Sequence, residues 1–124
     1  MKKRRENKPH LGMKYYASTC FRQCGWITKF EECDVDVVAF RPGLSGILAI
    51  ECEGSRGNVL RNIEKDFERG CDRLLILCES KALLSQIRRI LTKVSETIAR
   101  RVTIATTDQL NPDFIRRTFM ETHK

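Results

Sequence analysis

Residues 34–53, DVDVVAFRPGLSGILAIECE, constrain this chain more than any other stretch. Residues 34–40 are rich in valine, whose branched Cβ suits a pleated strand better than a helix. Residues 47–53 form a second apolar run. Between the two lies Arg41-Pro42-Gly43-Leu44-Ser45-Gly46, a cluster of turn formers. So short a connection leaves an antiparallel hairpin as the arrangement of the two strands. The near-continuous apolar run before Glu51 marks the second strand as central and covered on both faces. The rest of the chain must therefore supply further strands beside it and helices above and below it.

The flanking sequence has the patterns for both. Residues 12–24 have the spacing of a helix with Gly25 as its stop, and residues 26–32 (WITKFEE) alternate loosely, as a strand would. After Gly54-Ser55-Arg56-Gly57 the period changes from two to 3.6, so that Val59, Leu60, Ile63 and Phe67 share one face of a helix ending near Gly70. Residues 73–78 (RLLILC) read as a covered strand. Ser80 caps a long helix kept in phase from Leu83 to Ile98 and running to about Arg101. Residues 102–106 (VTIAT) are β-branched and read as another strand. Asn111-Pro112-Asp113 opens a last helix, to about Glu121, with a cap, a first-turn proline and an acid for the dipole. The expected order is αβββαβαβα, an α/β fold with a central mixed sheet and helices on both faces.

With 124 residues there is room for one domain, residues 12–124, preceded by a basic arm at residues 1–11. The chain is 41% hydrophobic and 31% charged, and no apolar run approaches the ~18 residues of a bilayer span, so no membrane partner is expected. The opening MKKRRENKPH has no apolar stretch of the kind a secretory signal needs, which makes a cytoplasmic location the expectation. The net charge of +7 is unevenly placed. Residues 1–29 hold eight basic residues against the single acid Glu6, whereas residues 30–124 hold fifteen of each sign. An anionic partner is expected at that first quarter. Among the six cysteines no CxxC pair occurs. Cys52, Cys71 and Cys78 sit in or beside apolar runs and read as small buried hydrophobes. Cys20 and Cys24 share a helix face and, with Cys33, leave a zinc or thiol site as a minor reading.

Chemistry concentrates where the strands end in acids. Glu51 and Glu53, two apart, share one strand face, and Asp34 and Asp36 do likewise. Pairing the strands brings these carboxylates within a few ångströms, and their mutual repulsion calls for a divalent cation with oxygen ligands, Mg²⁺ or Mn²⁺. The alternative is a strand face decorated with solvated acids, against which stands the apolar character of the strand.

These residues carry a resemblance. A helix, a strand ending in acid, Asp36 in VDVVAF, a turn, then an apolar strand ending in Glu51-Cys52-Glu53 and a helix, is similar to the PD-(D/E)xK nuclease superfamily over about residues 12–106. The stretch AIECEGSRGNVLRNIEKDFERGCDRLLIL resembles small nuclease-like domains found beside mobile-element and DNA-translocation ATPases, and more distantly Holliday-junction resolvases and type II restriction enzymes. The resemblance implies a restriction-endonuclease-like core and a divalent-metal-dependent DNA endonuclease. Asp36 and Glu51 then match the metal-binding acids, and the Cys52 backbone carbonyl is a further ligand. Glu53 stands where the family usually has lysine, so it is left as a base or another ligand, with Lys65 of the next helix as a substitute. Glu31 or Glu32 matches an acid some members contribute. The resemblance also implies a homodimer and an ATPase or translocase partner.

DNA phosphates would be met by Lys14, Arg22, Lys29 and Arg56, with Lys2, Lys3, Arg4 and Arg5 adding affinity that falls with salt. The departure at Glu53 supports a competing expectation, a catalytically inactive nuclease fold serving DNA or partner binding.

Overall fold

A computed structural model describes residues 8–31 and 35–121. The basic cluster Lys2 to Arg5, Glu32, Cys33 and Asp34 lie outside the described residues. A helix, α1 (Lys8–Gln23), precedes three strands, β1 (Ile27–Phe30), β2 (Val37–Phe40) and β3 (Leu48–Glu53). Then follow α2 (Val59–Glu68), β4 (Arg73–Cys78), α3 (Lys81–Leu91), a short α4 (Glu96–Ala99), β5 (Val102–Thr106) and α5 (Pro112–Ile115). The five strands lie in sequence order in one sheet, antiparallel from β1 to β3 and parallel from β3 to β5. The protein is thus α/β, with a five-stranded mixed sheet flanked by helices. Among the described residues no helix is long and apolar enough to cross a membrane.

The hairpin expected from residues 34–53 is present, with Val37 opposite Ile50 and Ala39 opposite Leu48. All six residues of β3 are buried, as a strand with neighbours on both edges and helices on both faces must be. Alternate residues divide the core in two. Val37, Ala39, Leu48, Ile50, Cys52, Leu75 and Leu77 pack against α1 and the C-terminal segment. Ala49, Leu74, Ile76 and Cys78 pack against Val59 and Ile63 of α2 and Leu83, Leu84 and Ile87 of α3. Both crossover helices of the parallel half therefore cover one face. Cys52 and Cys78 are buried and Cys71 half-buried, as their apolar surroundings imply.

Three helices differ from the sequence reading, the first because α1 begins at Lys8, four residues before the expected start. The helix expected to run from Ser80 to about Arg101 stops at Leu91. Thr92 caps it by donating its hydroxyl to the Arg89 carbonyl, 2.6 Å, and Ser95 then starts α4 by accepting from the Ile98 amide, 3.3 Å. Apolar spacing continued across the break because a short turn between two helices can leave Ile90, Leu91 and Ile98 all against the same core. The last helix begins at Pro112 with the Asn111 cap, Oδ1 accepting from the Phe114 amide at 2.8 Å, but widens to a π turn over Arg116–Met120. That turn seats Phe119 against Phe21 and Trp26.

Candidate acidic site

The candidate site forms where β2 begins and β3 ends. Carrying the β2–β3 register one residue past Val37 and Ile50 sets Asp36 opposite Glu51. Asp36 Oδ2 accepts from the Cys52 amide at 2.8 Å and from His10 Nε2 at 3.2 Å, so α1 and β3 together fix this carboxylate. Glu53 O accepts from Glu79 N on the β4 side. Alternation along a strand therefore turns the amide and carbonyl of Cys52 towards the β2 side, where Asp36 lies.

Glu51 and Glu53 face α2. The helix runs back over the strand, so that Asn62 Nδ2 donates to Glu53 Oε2, 2.8 Å, and residues one turn later meet Glu51. There Lys65 Nζ lies 3.6 Å from Glu51 Oε2 and 3.7 Å from Asp66 Oδ1. Glu51 is only 3% exposed and Asp66 1%. Glu51 Oε2 and both carboxyl oxygens of Asp66 find no hydrogen-bond donor within the protein. Two ionised carboxylates can only accept, and a bond between them exists only when one keeps a proton. Burial pushes the Glu51 carboxyl up to about 10, with the neighbouring Asp66 carboxyl next in effect, Asp36 adding to it and Lys65 opposing. Asp66 is also raised, mainly by burial, while its contacts with Glu51 and Lys65 pull it back down. Without added positive charge the pair holds a proton.

The donor set suits a hard divalent cation. Asp36, Glu51 and the Cys52 carbonyl offer oxygens only, and the orphaned Glu51 Oε2 is a buried acceptor that such an ion would satisfy. Among the described residues no three Cys, His, Asp or Glu side chains form a ready-made cage. Mg²⁺ commonly keeps several waters and takes only one or two carboxylates from the protein. For the zinc reading, Cys20 and Cys24 lie in the α1 core, Cys24 Sγ donating to the Pro112 carbonyl at 3.6 Å, and burial pushes the Cys20 thiol up.

The structure brings Asp36, Glu51, Cys52, Glu53 and Lys65 together. It separates one residue from the expected phosphate contacts. Lys14 is 2% exposed and its ammonium contacts Glu31 Oε2 at 2.6 Å, so it is a buried ion-pair partner and not part of the exposed basic surface. Glu31 itself leaves β1 with φ of 53°, turning the chain outward where Lys14 meets it. Arg22, Lys29 and Arg56 are exposed. Asn62 of α2 also faces the sheet, donating to Glu53.

His10 and Asp66 were missed. Asp66 left a signal, because it falls three residues after Ile63 and one before Phe67, on the face of α2 that packs on the sheet. An acid there is out of place unless it has work to do. His10 left none, since its meeting with Asp36 spans 26 positions. A groove of about 610 Å³ lies on the outer side of α2, lined by Arg61, Glu64, Lys65, Phe67, Glu68 and Ile98, and shares Lys65 with the acidic site. No protein-family model, curated protein or solved structure matches this chain.

Proposed function

We propose that the chain is a divalent-metal-dependent DNA endonuclease that hydrolyses phosphodiester bonds, with a core of the restriction-endonuclease type and Mg²⁺ or Mn²⁺ as its cofactor. The observation that carries this reading is Lys65, whose ammonium reaches Glu51 from α2 at 3.6 Å. It answers the main departure from the PD-(D/E)xK pattern, because the charge missing at Glu53 is delivered from the following helix.

Asp36, Glu51 and the Cys52 carbonyl would hold the cation. When bound, it polarises the scissile phosphate and lowers the pKa of an attacking water. Lys65 stabilises negative charge as it develops on the phosphate. Asn62 holds Glu53 back against α2, and the Cys52 amide and His10 keep Asp36 aimed at the end of β3. Arg22, Lys29, Arg56 and the Lys2 to Arg5 cluster supply phosphate contacts.

Incubation of supercoiled and branched DNA with Mg²⁺, Mn²⁺ or Ca²⁺ tests the reading. Cleavage that requires Mg²⁺ or Mn²⁺ and disappears in Glu51→Gln is expected; absence of cleavage with every divalent ion overturns it. The Glu53 carboxylate, bonded to Asn62 where a lysine is usual, favours a second reading, a nuclease fold kept for DNA or partner binding. Salt-dependent DNA binding that neither chelator nor Asp36→Ala alters would mark that case.

A further inference from the structure

The segment that carries the basic surplus also carries most of the exposed apolar surface. Among the described residues seven large hydrophobic side chains are exposed, and five of them, Leu11, Tyr15, Tyr16, Ile27 and Phe30, belong to α1 and β1. All of the +7 net charge lies in residues 1–29, where Lys14 is buried against Glu31 and Arg22 and Lys29 are the described, exposed cations.

Of these five, Tyr15 and Phe30 are in contact with each other. Their rings meet at 5.1 Å with an interplanar angle of 58°, while Tyr15 stays 55% and Phe30 39% exposed. Phe30 thus holds the Tyr15 ring from one side and leaves the remainder open. Tyr16 differs, since its hydroxyl donates to the Leu110 carbonyl at 2.6 Å and ties that ring to the C-terminal segment.

The pair also lies near Asp36, on the face of the sheet opposite the one that carries Glu51. Phe30 is the register partner of Val37, the residue after Asp36, and the amide of Glu31 donates to the Asp36 carbonyl. Exposed Lys29 precedes Phe30 on β1, the edge strand of the sheet, and as the register partner of Val38 it projects from the opposite face, the one that carries Glu51. A lysine within a four-residue edge strand disfavours strand pairing with a second copy of the chain. It favours a polyanion running along that edge.

We propose that Tyr15 and Phe30 are a stacking platform for an unpaired nucleobase, with Lys29 across the edge strand for a phosphate further along the chain, and that single-stranded DNA is the preferred ligand. Aromatic faces accept any base, whereas a duplex keeps its bases stacked on one another and out of reach of such a platform. The substrate class rests on the nuclease reading, which the platform sharpens towards strands with unpaired ends or gaps.

The test uses the full chain in EDTA, with fluorescence anisotropy of a labelled 20-mer as single strand and as duplex. The single strand should bind at least about tenfold tighter. Tyr15→Ala should weaken single-strand binding about tenfold and leave duplex binding within twofold, and Tyr15→Trp should retain binding with its fluorescence quenched by the bases. Lys29→Ala should lower the slope of log affinity against log salt by about 0.7. Equal affinity for duplex, or a Tyr15→Ala protein that binds the single strand as the parent does, overturns the proposal. So does a Tyr15→Ala effect confined to self-association in sedimentation, which would make the patch a protein interface. Tyr15-dependent binding without cleavage under any divalent ion would overturn the nuclease and leave the platform standing. Cleavage indifferent to Tyr15, with no single-strand preference, would do the reverse.

Discussion

The two faces of the sheet are built on opposite principles. On one, α1 and the C-terminal segment close over Phe21, Trp26 and Phe119, whose rings meet at 5.2 to 6.4 Å. On the other, α2 lays the buried Asp66 and the partly exposed Lys65 over the buried Glu51. Neighbouring residues of β3 belong to each, Cys52 to the first and Glu51 to the second. The first face stabilises the fold. The second does so through its apolar core, yet carries a cost within it, because two buried carboxyls with one ammonium leave orphaned oxygens. A chain keeps such an arrangement when the lost stability is tied to use, which is why the acidic face and not the cavity outside α2 is read as the site.

That contrast is open to attack at both ends. Removing the Phe21 ring, fully buried on the closed face, should destabilise the protein by about 3–5 kcal/mol in a denaturant titration, with the intrinsic cleavage rate of the folded fraction unchanged. Glu51→Gln should do the opposite, abolishing cleavage by at least about 100-fold while stabilising the metal-free protein by about 1–3 kcal/mol at pH 8. The sign follows from the proton. Folded Glu51 keeps it up to about 10, the unfolded chain releases it near 4.5, and stability is full below the lower value and falls as pH rises between them. In Glu51→Gln that decline should flatten; a parent protein whose stability does not fall across this range would show that the acidic face is not strained.

Lys65→Ala separates charge from packing. It should reduce cleavage about 10- to 100-fold and cost about 1–3 kcal/mol of stability, since it leaves two buried carboxyls without their ammonium while removing no core. A loss of stability as large as that of Phe21→Ala would make the lysine a structural counter-ion. The smallest effect is expected at Ser95, whose cap begins α4 away from both faces. Ser95→Ala should cost about 1 kcal/mol and leave cleavage and DNA binding as they are.

Much of the fold was legible because its signals are local. The valine run, the turn cluster and the apolar ILAI define a hairpin whatever lies around them, and the switch to a 3.6 period after Gly57 announces α2. The break after Leu91 was not legible, since Thr92 and Ser95 are common in helices and cap only in a particular backbone geometry. The site divides the same way. Asp36, Glu51 and Glu53 could be found because strand alternation puts them on one side, and Lys65 lay within reach on the next helix. Lys14 misled, because a lysine on a helix otherwise reads as exposed and its partner Glu31 is 17 positions away.

The sequence alone therefore determined an α/β chain with a covered central strand, acids at the end of that strand, and a positive charge confined to one end. These depend on period, propensity and composition, which act over a few residues. Tertiary structure decided which acid is buried, that Lys65 and Asp66 close over Glu51, that His10 and the Cys52 amide hold Asp36, and that Tyr15 lies on Phe30. Each joins groups from different elements, and their desolvation and pairing are set by the packing of those elements against one another.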